Sequence, residues 1–131
     1  MDTITRAIKP VMLVSGLITG TMLYAALAPV TAIQSMFGEV PTEPLVELLV
    51  RNWGALVTLI GFALIYGAFR PHVRTLVLVL AIISKIWFVA LVIGYGYASS
   101  PAGMAIWLDI VFVALFLAFL VSGTKKPALP N

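Results

Sequence analysis

The sequence predicts an all-α, polytopic membrane protein: an antiparallel four-helix bundle with a short interfacial helix in its first outer loop. Three observations predict it. Of the 131 residues, 62% are hydrophobic and 10% charged, against roughly 45–50% and 25% in soluble domains, and a small soluble domain has too little interior to hide such an excess. The apolar residues fall into four runs, each long enough to cross a hydrocarbon layer of roughly 30 Å at 1.5 Å per residue. Basic residues gather at the N-terminus, the second connection and the C-terminus, whereas the first connection is acidic and the third uncharged. Runs that are apolar on every side also exclude membrane strands, which need alternating polarity.

The first span is read at about Pro10–Val30. Arg6 and Lys9 precede it, and Ala26-Leu27-Ala28 near its end imitates a signal-peptidase site. The run is longer than a signal core, and Pro29 would follow the scissile bond, so the segment is retained as a helix. Gly16 and Gly20 form a GxxxG pair suited to close packing within the chain or, alternatively, to a homo-oligomer.

The connection Thr31–Pro44 is the only long one. Ile33, Met36 and Phe37 recur at helical spacing beside Thr31, Gln34 and Ser35, which predicts a short helix at the outer interface. Gly38 is placed to end it. Thr42 is expected to cap the second span, with Glu43 and Pro44 in its first turn.

The remaining spans are read at about Leu45–Phe69, Thr75–Ala98 and Ala102–Ser122, joined by the turns Arg70-Pro71-His72 and Ser99-Ser100-Pro101. The whole chain, residues 1–131, is one transmembrane domain with no separate soluble part. Arg6 and Lys9, then Arg70, His72 and Arg74, then Lys125 and Lys126 fall on one side of a four-crossing chain, while Glu39 and Glu43 fall on the other. The positive-inside rule therefore places both termini in the cytoplasm, with a bacterial inner membrane as the expected location. Trp53, Trp107, Tyr24, Tyr95 and Tyr97 cluster toward the outer side as an interfacial belt, and Trp87 lies near mid-membrane.

Arg51, Lys85 and Asp109 stand inside apolar runs and Glu47 at the mouth of one. An ionisable group at mid-membrane costs at least ~2.5–3.5 kcal/mol on insertion scales, so such groups turn inward and pair. Glu47 and Arg51 are four apart and share a face with Gly54, Thr58 and Gly61. Ala81, Lys85, Phe88 and Val92 form a stripe on the third span; Ala102, Ala105, Asp109, Phe112 and Phe116 form one on the fourth. By helical rise the four charges reach the same, outer half of the bundle. They are either structural pairs that fix register, or the polar floor of an outward-facing pocket lined by Asn52, Trp53, Thr58, Phe88 and Phe112, or a proton relay.

Enzymatic templates fail. The chain has no Cys and a single His, at position 72. It carries no nucleophile–base–acid set, no metal-ligand spacing, no Gly-rich phosphate loop and no dinucleotide fingerprint. No metal or cofactor is expected, with a quinone, sterol-like molecule or bound lipid as the candidate ligand. The scattered basic residues carry topology and give no nucleic-acid patch.

Ala28-Pro29, Phe37-Gly38, Arg51-Asn52-Trp53-Gly54, Ser84-Lys85 and Asp109, taken together, resemble the DoxX-like superfamily of small four-helix membrane proteins. The resemblance spans nearly the whole chain. It implies quinone-linked oxidoreductase subunits in some relatives and assembly chaperones of membrane complexes in others; the absence of Cys here stands apart from a redox role. The leading expectation is a non-enzymatic accessory or assembly subunit held by the lipid bilayer and by another membrane subunit. The alternative is a binding protein for a lipophilic molecule.

Overall fold

In a computed structural model, residues 3–124 are described, and Lys125 and Lys126 lie outside them. Among the described residues every regular element is helical: α1 (Thr3–Gly20), α2 (Leu23–Leu27), α3 (Pro29–Phe37), α4 (Pro44–Phe69), α5 (Pro71–Gly94) and α6 (Ala102–Thr124). Four stretches are long and apolar enough to cross a membrane: Arg6–Leu27, Pro44–Phe69, Pro71–Gly94 and Ala102–Ser122. These are the long apolar helices of a multi-pass membrane protein.

Proline and glycine set most of the boundaries. Pro29, Pro44 and Pro71 each open a helix, where a fixed φ favours the first turn and the missing N–H has no carbonyl to serve. Gly38, at φ 77°, ends α3 in the left-handed conformation expected of a helix C-terminus. Glu43 occupies the N-cap of α4 with no side-chain cap, so Thr42 does not play the capping part expected of it.

Two spans depart from their expected limits. The first begins at Thr3 and carries Pro10 inside a helix instead of at its start. It also breaks at Thr21-Met22 and again at Ala28, whose φ of −135° and ψ of 70° let Pro29 begin α3 two residues earlier than expected. The third span starts at Pro71, taking His72 and Arg74 into its first turn, and ends at Gly94. Its last four expected residues instead form a link in which Gly96 has a φ of 83°.

The long helices close a ring of contacts in which α1 packs on α4, α4 on α5, α5 on α6 and α6 on α1, while α2 and α3 lie against α4. A central cluster of Ile8, Met12, Leu64, Leu78, Ala81, Phe112 and Phe116 draws on all four long helices. Ala25, Ala32 and Val50 form a second cluster, and Val92, Ala102 and Ile106 a third. Trp53 and Phe88 join these last two by stacking, with centroids 5.9 Å apart.

Lipid offers no hydrophobic drive between helices, so close approach supplies the attraction. At Gly61 an added Cβ would stand 2.6 Å from the Gly20 nitrogen and 2.8 Å from the Gly16 oxygen; at Gly54 it would stand 2.6 Å from the Ala26 nitrogen. The GxxxG pair is therefore used within the chain, against α4.

Candidate functional site

Lys85, in α5, is the buried charge. Its Nζ lies 2.8 Å from Asp109 Oδ1 on α6 and donates to Thr19 Oγ1 on α1 at 3.3 Å. The ammonium also stands 5.6 Å from the centre of the Phe112 ring. The lysine side chain is 8% exposed and that of Asp109 18%, so the carboxylate keeps one edge open while the cation does not.

Helical spacing explains the convergence. Ala81, Lys85 and Val92 are buried and Phe88 half-buried on one face of α5; Ala102, Phe112 and Phe116 are buried on the matching face of α6, with Ala105 and Asp109 half-buried. A neutral pair inside this packing meets the desolvation cost that either charge alone would carry. Thr19 was not among the expected site residues. Ser15 and Thr19 stand four apart on α1 and are both buried, and the Ser15 hydroxyl has no hydrogen-bond partner among the described residues.

The other two charges do not join the pair. Arg51 Nη1 donates to the carbonyl of Ala26 at 2.7 Å and approaches that of Leu27 at 3.4 Å. Among the described residues no ion pair links Arg51 to Glu47, and Lys85–Asp109 is the sole ion pair. The physical reason lies in the broken first span. The last carbonyls of any helix lack intrahelical donors, and Pro29 removes one amide that would have served them. A guanidinium answers both this deficit and the negative end of the helix dipole. Glu47 is half-buried in the first turn of α4, where that dipole favours an acid.

The expected pocket lining is dispersed. Asn52 is exposed; Trp53 and Phe88 are spent on each other. Thr58 is buried and donates its hydroxyl to the Gly54 carbonyl at 2.6 Å. Phe112 stacks on Phe116 and roofs Lys85. An open groove exists elsewhere, between the end of α3 and the α5–α6 link, walled by Ile33, Phe37, Val40, Glu39, Glu43 and Tyr97. None of Glu47, Arg51, Lys85 and Asp109 lines it. There Tyr97 donates to Glu39 and packs edge-on against Phe37. The hydrogen bond to Glu39, then the repulsion between its carboxylate and a phenolate, hold the Tyr97 hydroxyl above its ordinary pKa of 10.0.

A second arginine repeats the part played by Arg51. Arg74, in the first turn of α5, donates from Nε to the Gly67 carbonyl at 3.1 Å and from Nη2 to that of Ala68 at 2.7 Å. Its place before an apolar run marked it as topological; its structural use is to close the end of α4.

Among the described residues no group of three His, Asp or Glu side chains is placed to hold a metal. The arrangement as a whole is an electrostatic tie with one open carboxylate edge. No family model, curated protein or solved structure matches this chain.

Proposed function

We propose that the chain is a non-enzymatic accessory or assembly subunit of a membrane complex, crossing the bilayer four times with its long helices antiparallel. The reading rests on the carboxylate of Asp109, which lies seven residues, roughly 10 Å, into an apolar helix and, though mostly buried, stays 18% exposed beside its bond to Lys85. In hydrocarbon an uncovered carboxylate edge calls for a donor from outside the chain, and a neighbouring transmembrane segment supplies one. The DoxX-like resemblance supports the same class of role.

Charge supports the orientation. Arg6, Lys9, Arg70 and Arg74 mark the cytoplasmic side of a bacterial inner membrane, with both termini there. Glu39, Glu43 and Tyr97 mark the outer side, and α3 lies along that interface.

The second reading, a site for a quinone, sterol-like molecule or lipid, is favoured by the same exposed edge together with the buried Ser15 hydroxyl, which has no partner among the described residues. One experiment separates the two. A photo-crosslinking residue is placed at Ala105, one turn from Asp109, and at Leu76 as a remote control, and the protein is analysed from native membranes by native mass spectrometry. A defined membrane subunit captured from Ala105 and lost with Asp109→Leu fits the subunit reading. A lone chain carrying a stoichiometric lipophilic molecule, lost with Asp109→Asn, replaces it with the second.

A further inference from the structure

At the opposite end of α4 from Arg51, Phe62, Ile65, Tyr66 and Phe69 line an apolar groove that ends at Arg70. Their spacing of three, one and three residues puts them on one helix face, about 10 Å long. Phe62, Tyr66 and Phe69 are each more than half exposed. Two cations sit on the aromatic walls: Lys9 Nζ is 4.5 Å from the centre of the Phe69 ring, and the Arg70 guanidinium is 5.8 Å from that of Tyr66.

Neither cation has an ion pair with a described carboxylate. The nearest acid on α4, Glu47, is 22 residues from Phe69, roughly 33 Å along the helix. A cation resting on a ring face keeps its remaining N–H groups turned outward, able to bind an anion. The groove thus combines an apolar trough, long enough for the upper part of an acyl chain, with two cations at its mouth that no described carboxylate pairs.

We propose that this groove is a binding site for one anionic glycerophospholipid, its phosphate held between Lys9 and Arg70 and one acyl chain laid along Phe69, Tyr66, Ile65 and Phe62. The charge complementarity selects an anionic headgroup over a zwitterionic one, and the apolar wall selects a lipid over free phosphate. The assignment is independent of the Asp109 reading, since it uses other residues at the other end of the helices.

The test is native mass spectrometry of the detergent-solubilised full chain, titrated in turn with phosphatidylglycerol, phosphatidylcholine and inorganic phosphate. The wild-type chain is expected to retain phosphatidylglycerol in preference to phosphatidylcholine. Lys9→Gln with Arg70→Gln is expected to weaken phosphatidylglycerol about thirtyfold, roughly fivefold per charge, and leave phosphatidylcholine unchanged. Phe62→Ser, which keeps both cations, is expected to weaken both lipids, and a thermal unfolding curve verifies that each variant is folded. Equal retention of the two lipids by the wild type, or unchanged selectivity in the folded double variant, overturns the proposal. Displacement of phosphatidylglycerol by inorganic phosphate overturns the lipid assignment.

Discussion

Lys85 and Asp109 stand 24 positions apart in the sequence and 2.8 Å apart in space, and the lysine also reaches Thr19 on α1. Three long helices are thereby tied at one point. Removing one partner strands the other, at a cost of about 3–5 kcal/mol, whereas replacing both by apolar side chains is nearly neutral. Lys85→Met and Asp109→Leu are each expected to lower unfolding stability in detergent by that amount, and the double variant to recover most of it. A double variant as unstable as the singles would mean that packing around Lys85, and not charge, holds the site.

The α1–α4 seam depends on the absence of a side chain at Gly61. Gly61→Ala places its Cβ against the backbone of Gly20, and neither helix can yield locally, so a loss of about 1–3 kcal/mol is expected. Gly94→Ala, with nothing within 4 Å, is the control and should be neutral to slightly stabilising. Denaturant titration of the two variants measures the contrast.

Arg51 closes the end of α2 through Ala26 and Leu27. Arg51→Gln should cost about 1 kcal/mol and, more tellingly, speed amide hydrogen exchange between Leu27 and Ala32 while leaving α5 and α6 unchanged. Lysine, a point charge without the fork of donors, is expected to restore only part of the protection.

Tyr97 offers a pH signature. Its acidity is weakened by Glu39, so the interaction is present below the ordinary pKa of 10.0 and is lost as pH rises through the elevated folded value. The near-ultraviolet difference between wild type and Tyr97→Phe should titrate above the ordinary tyrosine range. Glu39→Gln should bring it back down.

Orientation can be read directly, because the chain has no cysteine of its own. Glu39→Cys is expected to react with an impermeant thiol reagent added to intact cells, and His72→Cys only after the membrane is opened. The reverse pattern would invert the topology proposed above.

The spans were legible because desolvation leaves apolar runs no other home, and α4 and α6 fall within two residues of the limits read from composition. The start of α5 was present in the sequence as Pro71, a residue suited to a first helical turn, yet the basic residues beside it read as a connection. Lys85 and Asp109 were legible for the same energetic reason as the spans. The partner of Arg51 was not, because it is set by carbonyls that become free only once the chain breaks at Ala28, and nothing in the residues around Arg51 records that break. The break itself had one local sign, Pro29 directly after Ala28. The partner of Lys85 on α1 depended on how two distant helices rotate against each other, which spacing along either one does not fix.

Arg51 stands on α4 and completes α2; Arg74 stands on α5 and completes α4. In both cases the donor is synthesised after the carbonyls it serves, by about 24 residues in the first instance and six or seven in the second. A span emerging into the bilayer thus carries the group that finishes the one ahead of it, and the molecule can be assembled in the order in which the ribosome makes it.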